Sequence, residues 1–285
     1  MKSKLLLKFS ISLGLFLFCT ATSASAKTEI DFDNKQPIRR TIKEGNIKLK
    51  INHFPKKKED LNSKNLEYKI LFKGDKKIGQ KVSTFYGGRV LLYDLDNNGY
   101  SEAIISTYTG GAHCCTEFRI YSWNGDKFLT KKTGMLDASG GNFSDLNGDG
   151  KVEFLTNDNS FLYKFSSYAG SFPPTLIFNF SNGNFKNTTK QHPGKLKETA
   201  WQMYKAVLGS QKEDREVNGV LAGYVAQKIL LGEFNEGWNF MLEHYNTDWS
   251  SDEYSSFPIA LKDFLIERGY LNREGKPTDN INISL

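Results

Sequence analysis

Residues 94–102 read Asp94-Leu95-Asp96-Asn97-Asn98-Gly99-Tyr100-Ser101-Glu102, and residues 145–153 read Asp145-Leu146-Asn147-Gly148-Asp149-Gly150-Lys151-Val152-Glu153. Both stretches place oxygen-bearing side chains at positions 1, 3, 5 and 9 around a glycine at position 6. Alternate side chains of a tightly turned loop converge on one point, and the glycine permits the turn. β-Branched and aromatic residues follow each stretch and favour a strand. The pattern therefore predicts two loops that lead into strands.

Both loops have the donor pattern of a calcium site. Ca²⁺ binds about 6 to 8 oxygen atoms, which carboxylate, amide and carbonyl groups supply. Position 12 is Ile105 or Thr156, whereas an EF-hand requires a glutamate there. An Asx-rich turn that binds no ion is the alternative. We expect two structural calcium ions, held by the side chains of Asp94, Asp96, Asn98 and Glu102 with the Tyr100 carbonyl, and of Asp145, Asn147, Asp149 and Glu153 with the Lys151 carbonyl.

These loops resemble those of the FG-GAP and VCBS repeat families, in which a short calcium loop joins strands of a β-propeller blade. The resemblance covers about residues 68–190, where hairpin-like segments at 68–75, 120–128 and 177–185 alternate with the loops. The loops begin at residues 94 and 145, which are 51 residues apart, about the length of a four-stranded blade. Propellers close with about 4 to 8 blades. We therefore expect propeller-like blades that are partial or small in number.

The N-terminus has the pattern of a secretory signal peptide at residues 1–26. Lys2, Lys4 and Lys8 surround an apolar run at 5–18, and Ala24-Ser25-Ala26 precedes Lys27. We expect cleavage after Ala26 and a secreted or periplasmic protein. No later segment is a continuous apolar run of the about 20 residues that a membrane span requires, so no transmembrane segment is expected. The formal charge of +6 falls to +3 without the three leader lysines, which gives no reason to expect a nucleic-acid partner.

Strand-like sequence changes to helical periodicity near His192-Pro193-Gly194. The predicted fold class is mainly β with an α-helical C-terminal region. We expect a β-repeat calcium-binding domain at 27–192 and a helical domain at 193–285, a small bundle with helices near 234–245 and 258–268 among others. Few blades leave exposed sheet edges, so we expect that the helices cover one edge or that two chains form a homo-oligomer.

Adjacent cysteines occur in the segment Gly110-Gly111-Ala112-His113-Cys114-Cys115. An exported protein meets an oxidising environment, which favours a vicinal disulfide between Cys114 and Cys115. Two reduced, packed thiols and a soft-metal site with His113 are the alternatives. His113 is a candidate contact for a ligand.

The predicted function is that of an exported, non-enzymatic calcium-binding β-repeat module that binds an extracellular or envelope protein or a glycan. It is motivated by two calcium loops without a recognisable pairing of nucleophile and base. The alternative is an exported enzyme. It would be a calcium-dependent polysaccharide hydrolase or lyase that uses Asp137 or Asp158 with His113, or a thiol-redox protein that uses Cys114 and Cys115.

Overall fold

The computed structural model describes residues 27–57, 62–213, 215–279, 281, 283 and 285. The predicted signal peptide at 1–26 lies outside these residues. The strands are β1 (Thr28–Asp33), β2 (Ile38–Glu44), β3 (Ile47–His53), β4 (Leu66–Phe72), β5 (Asp75–Val82), β6 (Gly87–Tyr93), β7 (Glu102–Tyr108), β8 (Cys114–Trp123), β9 (Phe128–Lys132), β10 (Leu136–Asp137), β11 (Asn142–Ser144), β12 (Glu153–Asn157), β13 (Thr175–Ser181) and β14 (Asn184–Asn187). The helices are α1 (Pro193–Lys212), α2 (Asn218–Leu230), α3 (Phe234–His244) and α4 (Phe257–Glu267).

The strands form three antiparallel sheets. The first sheet has the order β2-β3-β4-β5, the middle sheet β1-β6-β7-β8-β10 with β9 also paired to β8, and the third sheet β11-β12-β13-β14. Strands β6 to β9 and strands β11 to β14 follow the same plan, in which the first two strands are joined by one of the Asp-rich loops and the last two form a hairpin. The internal repeat in the sequence is therefore present as two successive meanders.

The middle sheet is buried on both faces. In β6, Val90 and Leu92 join the apolar cluster shared with the first sheet, whereas Leu91 between them joins the cluster shared with the third sheet. Ile105 and Ile104 of β7 divide between the two clusters in the same way. Successive side chains of a strand point to opposite faces. A strand with a core on each side therefore reads as an uninterrupted apolar run rather than an alternating one.

A mainly β fold with C-terminal helices is confirmed, but the predicted propeller-like blades are not seen. The three sheets described do not close on one another. After β14 the chain enters a short 3-10 turn and then α1, so helices follow the third sheet where a further blade would be required. The 51-residue spacing reflects a repeated meander, and such a repeat specifies neither the number of units nor ring closure.

Helix α2 lies at the centre of the helical region, and all 13 of its residues are buried. A Cβ atom at Gly223 would collide with the carbonyl oxygen of Phe172, so the glycine lets this segment of backbone approach the helix. Gln227 links three elements, because its Oε1 accepts the Thr175 N–H at 2.9 Å and its Nε2 donates to the Leu196 carbonyl at 3.2 Å. Within the described ranges, no helix is both long and apolar enough to cross a membrane.

Candidate functional site

The loop between β6 and β7 gathers three carboxylates. One oxygen from each of Asp94, Asp96 and Glu102 lies within 4.8 Å of the other two. Asp94 is 8% exposed and Glu102 is fully buried. Among the residues that the structure describes, none donates a hydrogen bond to Asp96 Oδ1, which is buried. Burying an unpaired carboxylate oxygen is unfavourable unless a cation or donor reaches it, so these residues fit a divalent cation.

Hydrogen bonds within the loop fix this arrangement. Asp94 accepts the N–H groups of Asn98 at 3.1 Å and Gly99 at 2.8 Å. Asn98 Oδ1 in turn accepts the Tyr100 N–H at 2.8 Å. These are Asx-type turns, which hold acidic and amide side chains on the inside of a loop.

Glu102 connects the two ends of the first loop to the sheet. Its Oε2 accepts the Leu95 N–H at 2.8 Å, and its Oε1 accepts the Ser122 hydroxyl at 2.9 Å. Burial, with a contribution from Asp96, raises the pKa of Glu102 to about 8 against the opposing effect of these hydrogen bonds. Burial and then the neighbouring Asp94 also raise the pKa of Asp96. The site thus concentrates acidic groups in a place that disfavours their charged forms.

In the second loop a glutamate again bonds to the loop backbone and to a neighbouring strand, an arrangement that we call the glutamate clamp, but the cluster of three carboxylates is not repeated among the described residues. Glu153 Oε2 accepts the Leu146 N–H and Oε1 accepts the Asn179 amide, both at 2.9 Å. Asp145 accepts the N–H groups of two loop glycines. Asn147, however, donates to Asp149 Oδ2 at 3.1 Å, and Lys151 donates its N–H to Asp149 Oδ1 at 2.8 Å. In the part of the chain that is described, a cluster of three acidic ligands therefore occurs at the first loop.

The two loops lie side by side. The Val152 N–H donates to the Leu95 carbonyl at 2.9 Å. The backbone of Asn182, in the β13–β14 turn, lies close enough to Asp96 to lower the pKa of that carboxyl, against the larger opposing effect of burial. An ion in the first loop would therefore connect the middle and third sheets. Sequence reasoning missed Ser122 and Asn179, because only the pairing of β7 with β8 and of β12 with β13 places them beside the loops. It also missed Asn182, which lies in the β13–β14 turn and is distant in sequence from Asp96.

The segment around His113 forms a second polar cluster. Cys114 and Cys115 are joined as a vicinal disulfide. The His113 ring stacks on Tyr168 with 4.0 Å between centroids, and the Tyr168 hydroxyl donates to Asp137 Oδ2 at 2.6 Å. Asp137 and His113 are thus brought to the same tyrosine. Asp158 belongs to a different network, since it accepts hydrogen bonds from Ser160 and Tyr270.

Two cavities flank residues 139–142. One, of about 650 Å³, is lined by Asp137 and Tyr168 among others. The other, of about 750 Å³, is lined by Tyr86, Tyr108, Arg89 and Asn142 among others. Tyr86 is 66% exposed, and its ring centroid lies 5.7 Å from that of Tyr108. No motif marks these tyrosines in the sequence, because they become neighbours only through the fold.

The helical region matches a known family model. Residues 196–269, from α1 to the glycine beyond α4, match the sll0997 C-terminal domain. The resemblance to the FG-GAP and VCBS repeat families is therefore wrong, since the family matched is a different one. Asp/Asn-Gly loops also arise as ordinary Asx turns between strands, so two of them did not define a family.

Two curated relatives are similar over a larger part of the chain. The "Probable thylakoid lumen protein sll0997" of Synechocystis sp. is 36% identical over 66% of this chain and 62% of its own length. The "Uncharacterized protein y4bJ" of Sinorhizobium fredii is 30% identical over 74% of this chain and 37% of its own length. The chain thus spans less than two thirds of either relative. No solved protein structure gives a significant match.

Proposed function

We propose that this chain is an exported calcium-binding protein without enzymatic activity, in which the first loop holds a structural Ca²⁺ ion. The buried, unpartnered Oδ1 of Asp96, next to Asp94 and Glu102, carries the proposal. An ion there would neutralise crowded carboxylates and stabilise the contact between the two loops. The leader pattern at 1–26 and the name of the Synechocystis relative, a probable thylakoid lumen protein, support export to a lumenal or periplasmic space.

The second loop is proposed as a weaker calcium site. It has the same spacing of Asp145, Asn147, Asp149 and Glu153. Binding there requires the bond between Asn147 and Asp149 to break, because the amide group would have to turn its oxygen toward the ion. Both of these side chains are exposed, so water competes with them for the coordination positions of the ion.

Calorimetry of the protein from Lys27 onward tests both sites. We expect a tight site that Asp96→Asn removes and a weaker one that Asp145→Asn removes. The matched control is Asp126→Asn, which alters an exposed aspartate in the β8–β9 turn and should leave both sites unchanged. If the Asp96→Asn protein binds calcium as tightly as the unchanged protein, the first-loop site is wrong.

We further propose that the partner is a glycan that binds in the cavity at Tyr86 and Tyr108. An exposed aromatic ring can cover the apolar face of a sugar, while Arg89, Asn142 and Asp31 offer hydrogen bonds around it. The enzymatic alternative is less well supported, because the carboxylates of Asp137 and Asp158 both accept hydrogen bonds from tyrosines.

A glycan-array screen followed by titration tests this cavity. Tyr86→Ala should weaken binding of any glycan that is found by about two- to tenfold, since a contact with an aromatic ring contributes about 0.5 to 1.5 kcal/mol. Trp201→Ala removes a similarly exposed ring on α1 and serves as the control. Equal losses in both variants would exclude this cavity as the glycan site.

A further inference from the structure

The first sheet has one apolar face and one basic face. In β3, Ile47, Leu49 and Ile51 are buried against the middle sheet, so Lys48 and Lys50 project from the opposite face. The strand registers place alternate residues of β2, β4 and β5 beside them. We call this outward surface the basic face. Its charged residues are Arg39, Lys43, Lys48, Lys50, Lys69, Lys76 and Lys81, with Glu67 as the acidic member.

Lysines on this face stand directly opposite one another. Lys43 pairs with Lys48 across β2 and β3, and Lys50 pairs with Lys69 across β3 and β4. Like charges directly opposite each other destabilise a sheet. Glu67 offsets only part of the charge, at 3.0 Å from Lys69 and 4.0 Å from Lys81. The arrangement therefore opposes folding stability and calls for another explanation.

The charge is concentrated on this face and not spread over the molecule. Residues 27–285 carry a formal charge of +3, after the three leader lysines are removed from the +6 of the whole sequence. Seven basic residues and one acidic residue give the basic face a net charge of +6. The other residues of 27–285 therefore sum to a formal charge of −3, and the molecule would be oriented in a negative potential with this face foremost.

We propose that the basic face docks on the surface of an anionic lipid bilayer. A four-stranded sheet with strands of seven or eight residues gives a support of roughly 15 by 20 Å from which the lysine side chains extend. The basic residues lie on all four strands and are therefore spread over an area of the sheet. Such an arrangement matches a plane of phosphate headgroups better than a single linear polyanion. Juxtaposed lysines are attracted to such a surface through its negative potential.

Vesicle sedimentation tests this proposal. The protein from Lys27 onward is mixed with vesicles of phosphatidylcholine alone or with phosphatidylglycerol, and a calcium chelator is present so that no calcium ion can bridge the protein to the lipid. We expect binding only to the vesicles that contain phosphatidylglycerol, and weaker binding as salt is added. Lys43→Gln, Lys48→Gln and Lys50→Gln combined should reduce partitioning about a hundredfold, at about fivefold for each basic side chain.

Three control measurements make the outcome decisive. Lys127→Gln, Lys186→Gln and Lys212→Gln combined remove the same charge from exposed positions elsewhere and should leave binding unchanged. Lys43→Arg, Lys48→Arg and Lys50→Arg combined should retain binding because the charge is kept. The glutamine variant should melt no earlier than the unchanged protein, since the opposed lysine pairs are relieved. The proposal is overturned if the protein fails to bind phosphatidylglycerol vesicles or if both glutamine variants lose binding equally. It is also overturned if, in a parallel assay, the protein binds soluble dextran sulfate but not the vesicles.

Discussion

His53 shows how burial affects the properties of a single residue. It is fully buried, its Nε2 lies 3.2 Å from the Asn65 amide nitrogen, and its ring packs against Phe32. Burial lowers the pKa of His53, and the charge of Asp33 opposes this only in part. The folded protein therefore favours the neutral ring, which can accept the Asn65 hydrogen bond.

We predict that His53 makes the protein less stable in acid. The unfolded chain binds a proton near the ordinary pKa of about 6.5, whereas the folded protein binds it only at lower pH. The contribution of neutral His53 to the free energy of unfolding is therefore fully present above about pH 6.5. It declines below that pH by at most about 1.4 kcal/mol per pH unit. Urea unfolding between pH 7 and pH 5 measures the slope, which His53→Gln should reduce. His192→Gln, a partly exposed position, should leave it unchanged, and equal slopes in all three proteins would refute the assignment.

The adjacent cysteines give a second prediction at this scale. In the non-reduced protein from Lys27 onward, we expect no alkylation by iodoacetamide under denaturing conditions, and two alkyl groups after reduction, because Cys114 and Cys115 are paired. Intact mass measures both states. Uptake of two groups without a reductant would instead indicate free, packed thiols.

At the residue level, the sequence predicted those site residues that lie within one loop, but not those that come from other strands. Asp94, Asp96 and Glu102 were singled out because they are close in sequence. The clamp formed by Glu102 and Ser122 depends on the pairing of β7 with β8, so no local pattern contains it. The same pattern also failed to distinguish Asn147, which bonds to Asp149, from Asp96, which has an unpartnered oxygen.

At the level of elements, α2 shows how the backbone of a neighbouring segment can require a glycine within a helix. Gly223 lies where a Cβ atom would collide with the Phe172 carbonyl. Glycine destabilises a helix interior by about 1 kcal/mol relative to alanine, so close packing has to offset that loss.

We predict opposite effects from two glycine-to-alanine changes. Gly223→Ala should destabilise the protein by about 3 kcal/mol through overpacking. Gly209→Ala in α1 has open space around the new methyl group and should stabilise it by about 0.5 to 1 kcal/mol. Thermal and chemical unfolding of the two variants give the comparison. A neutral Gly223→Ala variant would show that the 170–172 segment can move away.

Helical periodicity predicted α3 and α4 nearly at their observed bounds, since three- and four-residue apolar spacing is a local property. The arrangement of the sheets was not predictable in this way. Val90-Leu91-Leu92 reads as an apolar run in the sequence, and only the fold shows that it separates two cores. Repeated loops and hairpins similarly predicted strands but not whether the sheets form a ring.

At the scale of the whole molecule, calcium at the first loop should stabilise the packing of sheets against one another. Asp96 reaches the β13–β14 turn, and the second loop bonds to the first. We predict that calcium at about 100 times its dissociation constant adds about 2.7 kcal/mol to the free energy of unfolding. Denaturant titrations with calcium and with a chelator measure this difference, which Asp96→Asn should abolish. An unchanged midpoint in the native protein would exclude a structural role for the ion.

The double burial of the middle sheet also determines how its amide protons exchange with deuterium. Ile104 and Ile105 are both fully buried, and their strand is hydrogen-bonded to β6 on one side and β8 on the other. Local opening would have to disrupt both cores at once, so these amides should exchange only when the whole molecule unfolds. Their protection factors would therefore report the global stability directly, from within the native protein and without denaturant.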